Sequence, residues 1–225
     1  MSSPDAITLL RTRSLTTLVH EELERQILQG QIQPGDALRE ASIATNMGIS
    51  RGPVREAFRT LEERGLVLFE KNCGVSVRKL DSEQAAQIYQ VRIPLEGLIG
   101  QLVTLNLKPE GRIQIERLIE MMHIAVDEKD IGTYATLNQQ FHDLLAKYTN
   151  NLPLYDTYRK LVVQLRLFRS HTFRHSPETI KLSLQEHIAI FNAISTGDEN
   201  GASELLRKHA EDSLQRLTAT INKQP

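Results

Sequence analysis

From residue 82 to residue 221 one pattern recurs six times: apolar residues at three- and four-residue steps, then a short polar break. That period belongs to helices with one buried face, and the two-residue alternation of strands is absent from this stretch. The runs fall at about 82–105, 109–129, 130–148, 152–172, 177–196 and 198–221, with breaks such as KPEG, TNNLP and STGDENG. Asp81 and Ser82 can cap the first, and Pro94 should kink it. Six helices that each carry an apolar stripe must bury those stripes against one another. The fold class that does so is an antiparallel all-α bundle of about six helices.

The first eighty residues read differently. Ser14 caps a helix with Leu15, Leu18, Val19, Leu23 and Ile27 on one face and Gly30 as its stop. IQPGDAL reads as a loop, REASIATNM as a short helix, and GIS as a tight turn in which Gly48 takes a left-handed conformation. SRGPVREAFRTLEERG then forms a helix capped by Ser50, with Pro53 in its first turn, where N–H groups have no helical partner. Val54, Ala57, Phe58 and Leu61 mark its buried face. Arg51, Arg55 and Arg59, at i, i+4 and i+8, form a cationic line opposite. Two helices joined by a tight turn, the second presenting arginines from its N-terminal end, make a helix-turn-helix whose second helix enters the major groove. The planar fork of arginine can donate to both O6 and N7 of guanine. LVLFEKNCGVSVRKL follows as two short β-rich runs around Lys71–Gly74, a hairpin that reads as a wing reaching phosphates or the minor groove. The competing reading is a solvated helix face whose arginines pair with Glu56, Glu62 and Glu63. The chain therefore divides into an N-terminal arm (1–13), a winged helix-turn-helix (14–79) and an all-helical domain (80–225). Its fold class is mainly α.

The net charge of −1 gives no global sign of a nucleic-acid partner. Residues 1–80 hold 11 Lys+Arg against 10 Asp+Glu, and the remainder 16 against 18. A basic surface must come from placement on one face. The single Cys73 forms no intrachain disulfide and suits a reducing compartment. No secretory leader and no membrane-length apolar run is evident, so a cytoplasmic protein is expected.

Three helical stripes contain histidine. His142 lies beside the stripe of Leu137, Phe141, Leu144 and Tyr148, one turn after Asn138. His187 shares a stripe with Ile180, Leu184, Phe191 and Ile194, and His209 shares one with Ala202, Leu205, Leu206, Ser213 and Leu217. A single inward histidine is usually a satisfied core residue. Several buried together are costly unless something engages them, and a divalent cation does so. Spacing alone leaves both readings open. Arg92 sits on the edge of its stripe, one turn before Glu96. It reads either as half of a solvated ion pair or as a clamp for a carboxylate ligand. Arg169 tends inward with Tyr158, Val162 and Leu165 and is a second effector candidate. His20, His123, His171 and His175 belong to no such constellation and read as surface or structural residues.

LREASIATNMGISRGPVREAFRTLEERGLV and the hairpin after it resemble the winged helix-turn-helix of GntR-type bacterial regulators, with SR-x-PVREA the most specific match. The resemblance implies that Ser50, Arg51, Pro53 and Arg55 read DNA, that Gly74 lies at the wing tip, and that Arg39 meets the backbone. Some relatives carry Arg where this chain has Ala41, and no contact is transferred there. VRIPLEG, NQQFH and EHIAIFNAISTGD, with a histidine one helix later, resemble the FCD effector domain of FadR-type members, in the shorter six-helix, VanR-like form. This implies a divalent metal held by Asn138, His142, His187 and His209, with Arg92 near an effector pocket. Asn138 stands where many relatives have Asp, which removes a negative charge and favours an anionic co-ligand. Imidazole-rich ligation suits Zn, Ni or Mn better than Ca or Mg. The implied function is a transcription regulator, most often a repressor. It would act as a homodimer on double-stranded DNA carrying a palindromic operator and respond to a small carboxylate metabolite. A sensor of the metal itself is the alternative. A metal-dependent enzyme fused to a DNA-binding module lacks support, because no HExxH and no nucleophile motif is present, so the chain is not expected to be an enzyme.

Overall fold

The computed structural model describes residues 14–70, 74–172 and 177–221, apart from the side chains of 169–172, 220 and 221. The expected N-terminal arm and wing-tip residues Lys71, Asn72 and Cys73 lie outside the described residues. The described chain forms two compact units. One comprises the residues up to Asp81 together with Val162–His171, and the other comprises Ser82–Leu161 and the residues from Thr172 on.

The first unit contains α1 (Leu15–Leu28), β1 (Ala37–Leu38), α2 (Glu40–Met47), α3 (Arg51–Glu63), β2 (Val67–Glu70) and β3 (Gly74–Val77). Its core joins Val19, Leu23 and Ile27 of α1 to Val54, Ala57, Phe58 and Leu61 of α3. Val75 and Val77 of the wing, with Val163 and Leu167, close it. The Ser14 hydroxyl accepts the Thr17 N–H at 3.1 Å, the expected cap of α1. Ser50 stands at the N-cap of α3, but its hydroxyl makes no capping bond. The strands form an antiparallel sheet in the order β1-β3-β2, with Leu38 opposite Val75 and Val67 opposite Val77. The sequence reading of residues 37 and 38 as loop is corrected here. Two residues show no alternation by themselves, and they become a strand because β3 offers a free edge. The Gly35 N–H to Val77 carbonyl bond (2.8 Å) and the Val77 N–H to Asp36 carbonyl bond (2.9 Å) anchor it.

The turn between α2 and α3 depends on Gly48, whose φ of 66° is left-handed. A Cβ there meets nothing within 4 Å, so a substitution is penalised by backbone conformation alone. Gly48→Ala is expected to destabilise this unit by about 1–2 kcal/mol, read from the urea midpoint at unchanged slope.

The second unit consists of α4 (Ser82–Asn106), α5 (Pro109–Asp127), α6 (Ile131–Tyr148), the first half of α7 (Leu152–Thr172), α8 (Pro177–Thr196) and α9 (Glu199–Ile221). These are the six helices that the apolar spacing predicts. α4 is unbroken through Pro94. Pro94 and Gln90, whose carbonyl loses its partner, both lie on exposed surface where water can take over. α4 packs most extensively on α9. Gly100 allows the close approach: a Cβ there would stand 2.7 Å from the Ala202 carbonyl. On α6 the sequence stripe errs by one position, since Leu145 is fully buried and Leu144 only half-buried. No described helix is long and apolar enough to cross a membrane.

Candidate metal centre and DNA-reading helix

α3 presents Arg51, Arg55 and Arg59 as one exposed row, opposite the completely buried Val54, Ala57, Phe58 and Leu61. Two of the three are already engaged. Arg55 donates from Nε and Nη2 to the two carboxylate oxygens of Glu40 on α2, each at 2.9 Å. Hydrogen bonding from Arg55 pulls the Glu40 carboxyl below its ordinary pKa. Arg59 donates to Glu56 at 3.0 Å. Arg51 makes no hydrogen bond or ion pair to a described residue. Of the carboxylates the sequence offers as partners only Glu56 serves, and Glu40 goes unnoticed because it lies 15 residues away. Arg39 is exposed at the N-cap of α2, Ser50 is exposed, Pro53 is half-buried, and Gly74 opens β3 with φ of 89°.

In the second unit the three inward histidines meet. His142 on α6, His187 on α8 and His209 on α9 are all buried. Nε2 of His142 lies 3.1 Å from Nε2 of His209 and 3.2 Å from Nε2 of His187. An imidazole nitrogen offers one N–H or one lone pair, in the ring plane, so it can complete only one such contact. The opposite nitrogens face oxygen. His209 Nδ1 stands 2.5 Å from Glu186 Oε2, and His187 Nδ1 stands 3.3 Å from the Tyr134 hydroxyl. His142 Nδ1 lies 3.7 Å from Glu96 Oε1, beyond hydrogen-bond reach. A carboxylate that accepts a hydrogen bond from Nδ1–H leaves the Nε2 lone pair turned towards the cluster, as in metal-binding histidines. One turn before His142, the Asn138 Oδ1 is buried without a hydrogen-bond partner. Three imidazole nitrogens within reach of one another, with an orphaned amide oxygen one turn earlier on α6, are donor types that suit a divalent cation.

The electrostatics agree with this donor set. Burial depresses His209 to a pKa of about 4, despite opposition from the Glu186 hydrogen bond. Burial and the two neighbouring imidazoles hold His187 well below its usual value. Both rings are therefore neutral at physiological pH. Glu186 is opposed by burial, but His209 and Arg216 bring it down to about 2; Arg216 donates to it at 2.9 and 3.1 Å.

Arg92 is buried, and so is its partner Glu96. Nε and Nη2 both donate to Glu96 Oε1, at 3.0 and 2.6 Å, and the Tyr158 hydroxyl adds a third bond to the same oxygen at 2.8 Å. The guanidinium lies over the rings of Tyr89 and Tyr158, 5.4 and 5.8 Å from their centroids. Burial opposes both charges, yet the pair holds Arg92 above and Glu96 below their ordinary pKa values. The ion pair the sequence allows is present, but in the interior rather than on a solvated face. The Arg169 side chain, His175 and the His171 side chain lie outside the described residues. His123 is exposed beside Asp127, and His20 is buried 3.3 Å from Glu24. Sequence reasoning missed Glu186, Tyr134 and Arg216, although Glu186 directly precedes His187.

Comparison with known proteins identifies the family of both units. Residues 15–77 match the family described as bacterial regulatory proteins, gntR family, and residues 87–212 match the FCD domain. The uncharacterized HTH-type transcriptional regulator YdhC of Bacillus subtilis is 30 % identical over 204 residues, covering 88 % of each chain. The gluconate operon transcriptional repressor of Bacillus subtilis is 26 % identical, over 85 % of this chain and 80 % of that one. Escherichia coli McbR/YncC shares the fold with a TM-score of 0.79, at 21 % identity over 94 % of this chain and all of that one. The chain belongs to the GntR family of bacterial transcription regulators, with an FCD domain behind its winged helix-turn-helix. It is a regulator and not an enzyme.

Proposed function

We propose that this regulator is a cytoplasmic repressor whose operator affinity follows a small carboxylate bound beside a divalent cation in the FCD domain. The observation that carries this reading is the convergence of three Nε2 atoms, with the buried, unpartnered Asn138 oxygen one turn before His142 on the same helix. His142, His187, His209 and Asn138 would hold the ion, and Zn, Ni and Mn match such donors. The ion supplies a positive charge to which an acid can bind. None of the four donor side chains brings a negative charge, and each nearby carboxylate is balanced by its own arginine, Glu96 by Arg92 and Glu186 by Arg216. A carboxylate effector therefore restores the local charge balance. Arg92, already stacked and paired beside the cluster, is the proposed second contact for such an acid, and Arg169 a further one.

The acid changes operator binding only through different affinities for two arrangements of the chain. Two-fold symmetry of a homodimer would match a palindromic operator. Arg39, Ser50, Arg51, Pro53, Arg55, Arg59 and the wing at Gly74 form the proposed DNA contacts. Arg51→Ala and Arg55→Ala should each weaken specific binding by about 1–3 kcal/mol per lost bidentate base contact, with the fold retained. Unchanged sequence preference in both variants would remove α3 from the groove.

The test of the whole reading is titration of operator complexes of metal-loaded protein with a panel of small carboxylic acids. Release or tightening by one acid, abolished in His187→Ala, supports it. Operator affinity that follows metal concentration alone, indifferent to every acid, makes the cation the signal instead.

A further inference from the structure

We infer that the groove between α5 and α6 is a second small-molecule site, apart from the imidazole cluster, and that it takes an amphiphilic carboxylate, an organic acid with an apolar body. The groove has a volume of about 380 Å³, and its floor is Leu118 and Met121 of α5 with Leu144 of α6. Met121 is 50 % exposed, and Leu118 and Leu144 are half-buried. The interior side of α6 is filled without Leu144, by Leu137, Phe141 and Leu145. Leu144 therefore serves the groove rather than the core. A single exposed apolar residue calls for no explanation. Three that line one concavity hold apolar surface against water that a ligand would release.

The rim decides the chemistry. Arg117 of α5 and Lys147 of α6 both line the groove, and neither side chain is hydrogen-bonded or ion-paired to a described residue. The carboxylate that lines it, Asp143, is already engaged: Arg159 Nε lies 3.5 Å from its Oδ1, and the Tyr155 hydroxyl donates to the same oxygen at 3.3 Å. Gln114 accepts from the Tyr148 hydroxyl through Oε1 at 2.9 Å, which leaves its amide N–H groups as donors. Two unbalanced cations and an amide donor thus border an apolar floor. A bare inorganic anion would leave that floor wet, and a neutral hydrocarbon would leave the cations unused. A carboxylate on an alkyl or aryl body uses both. Guanidinium donors match a carboxylate in geometry, and the Met121 thioether adapts to irregular apolar shapes. The volume falls within the range of about 300–1,000 Å³ typical of small-molecule sites.

The test uses phenylbutyrate as the probe, titrated by calorimetry into the full chain and followed in parallel through the methyl resonances of protein carrying carbon-13 methyl methionine. The chain has four methionines, and Met121→Leu identifies the resonance that reports on the groove. Saturable binding should shift the Met121 resonance and leave that of Met47, in the other unit, in place. Affinity should fall about tenfold in the double variant Arg117→Glu/Lys147→Glu, the scale of two exposed ion pairs, with far-UV circular dichroism unchanged. It should persist in His187→Ala, and phenylbutanol, which has the body without the charge, should bind no better than the probe binds the double variant. A Met121 resonance unmoved at saturating probe overturns the site, and this arm decides alone if the double variant fails to fold. Binding kept in the double variant and lost in His187→Ala also overturns it, and assigns the acid to the imidazole cluster instead. Phenylbutanol binding as tightly as phenylbutyrate overturns the assigned ligand class.

Discussion

Arg92→Met should destabilise the helical domain by about 3–5 kcal/mol, the cost of leaving one member of a buried ion pair without the other. The cause is not a lost attraction on a surface. Glu96 lies in the interior with Arg92 donating twice to one oxygen and Tyr158 donating once. Removing the guanidinium strands a carboxylate where water cannot reach it. Methionine keeps the stem volume between Tyr89 and Tyr158, so a cavity contributes little. The double variant Arg92→Met/Glu96→Gln, which removes both charges, should recover most of the loss in thermal denaturation. If the single variant melts like the wild type, the buried pair contributes far less than the geometry implies. If the double variant melts no higher than the single, packing rather than charge governs the site.

The second large effect is expected from emptying the proposed metal site. A ligand that binds only the folded state stabilises it by about 4 kcal/mol when present at a thousand times its dissociation constant. Dialysis against a chelator should therefore lower the melting temperature, and added Zn, Ni or Mn should restore it. In His187→Ala, whose wild-type side chain is completely buried at the meeting point of three helices, metal content should fall in elemental analysis. The melting temperature of that variant should no longer respond to added ions. A wild-type protein that holds no metal after purification, and whose melting is indifferent to all three ions, removes the cation from this site.

The legible parts of this molecule are those with a period. Six apolar stripes gave the helices of the second unit, and the row Arg51, Arg55, Arg59 opposite Phe58 and Leu61 gave the exposed and buried faces of α3. The inward histidines were legible for the same reason, because each occupies or borders a stripe. Their convergence was not, since no spacing says which faces of α6, α8 and α9 meet. The supporting oxygens escaped more completely. Tyr134 is 53 residues from His187 and Glu186 is 23 from His209, distances at which sequence separation carries no information. Arg92 and Glu96, four apart, have the signature of a solvated pair, and only tertiary packing takes them inside. β1 is too short to show any alternation.

The pairing of Arg55 with Glu40 and of Arg59 with Glu56 bears on how this protein searches a genome. A guanidinium that arrives with its own tethered counterion is nearly neutral at long range. As the proposed recognition helix, α3 would then pull weakly on arbitrary duplex and gain its advantage only where a base edge competes with the carboxylate. Attraction to random DNA scales with the phosphates neutralised, and it appears as the slope of log affinity against log salt. Three free arginines would steepen that slope together, whereas α3 offers Arg51 alone. Restoring two unpaired cations with Glu40→Gln and Glu56→Gln should steepen it, and should raise binding to scrambled sequences more than binding to the operator. An unchanged slope would mean that the carboxylates let go before contact is made.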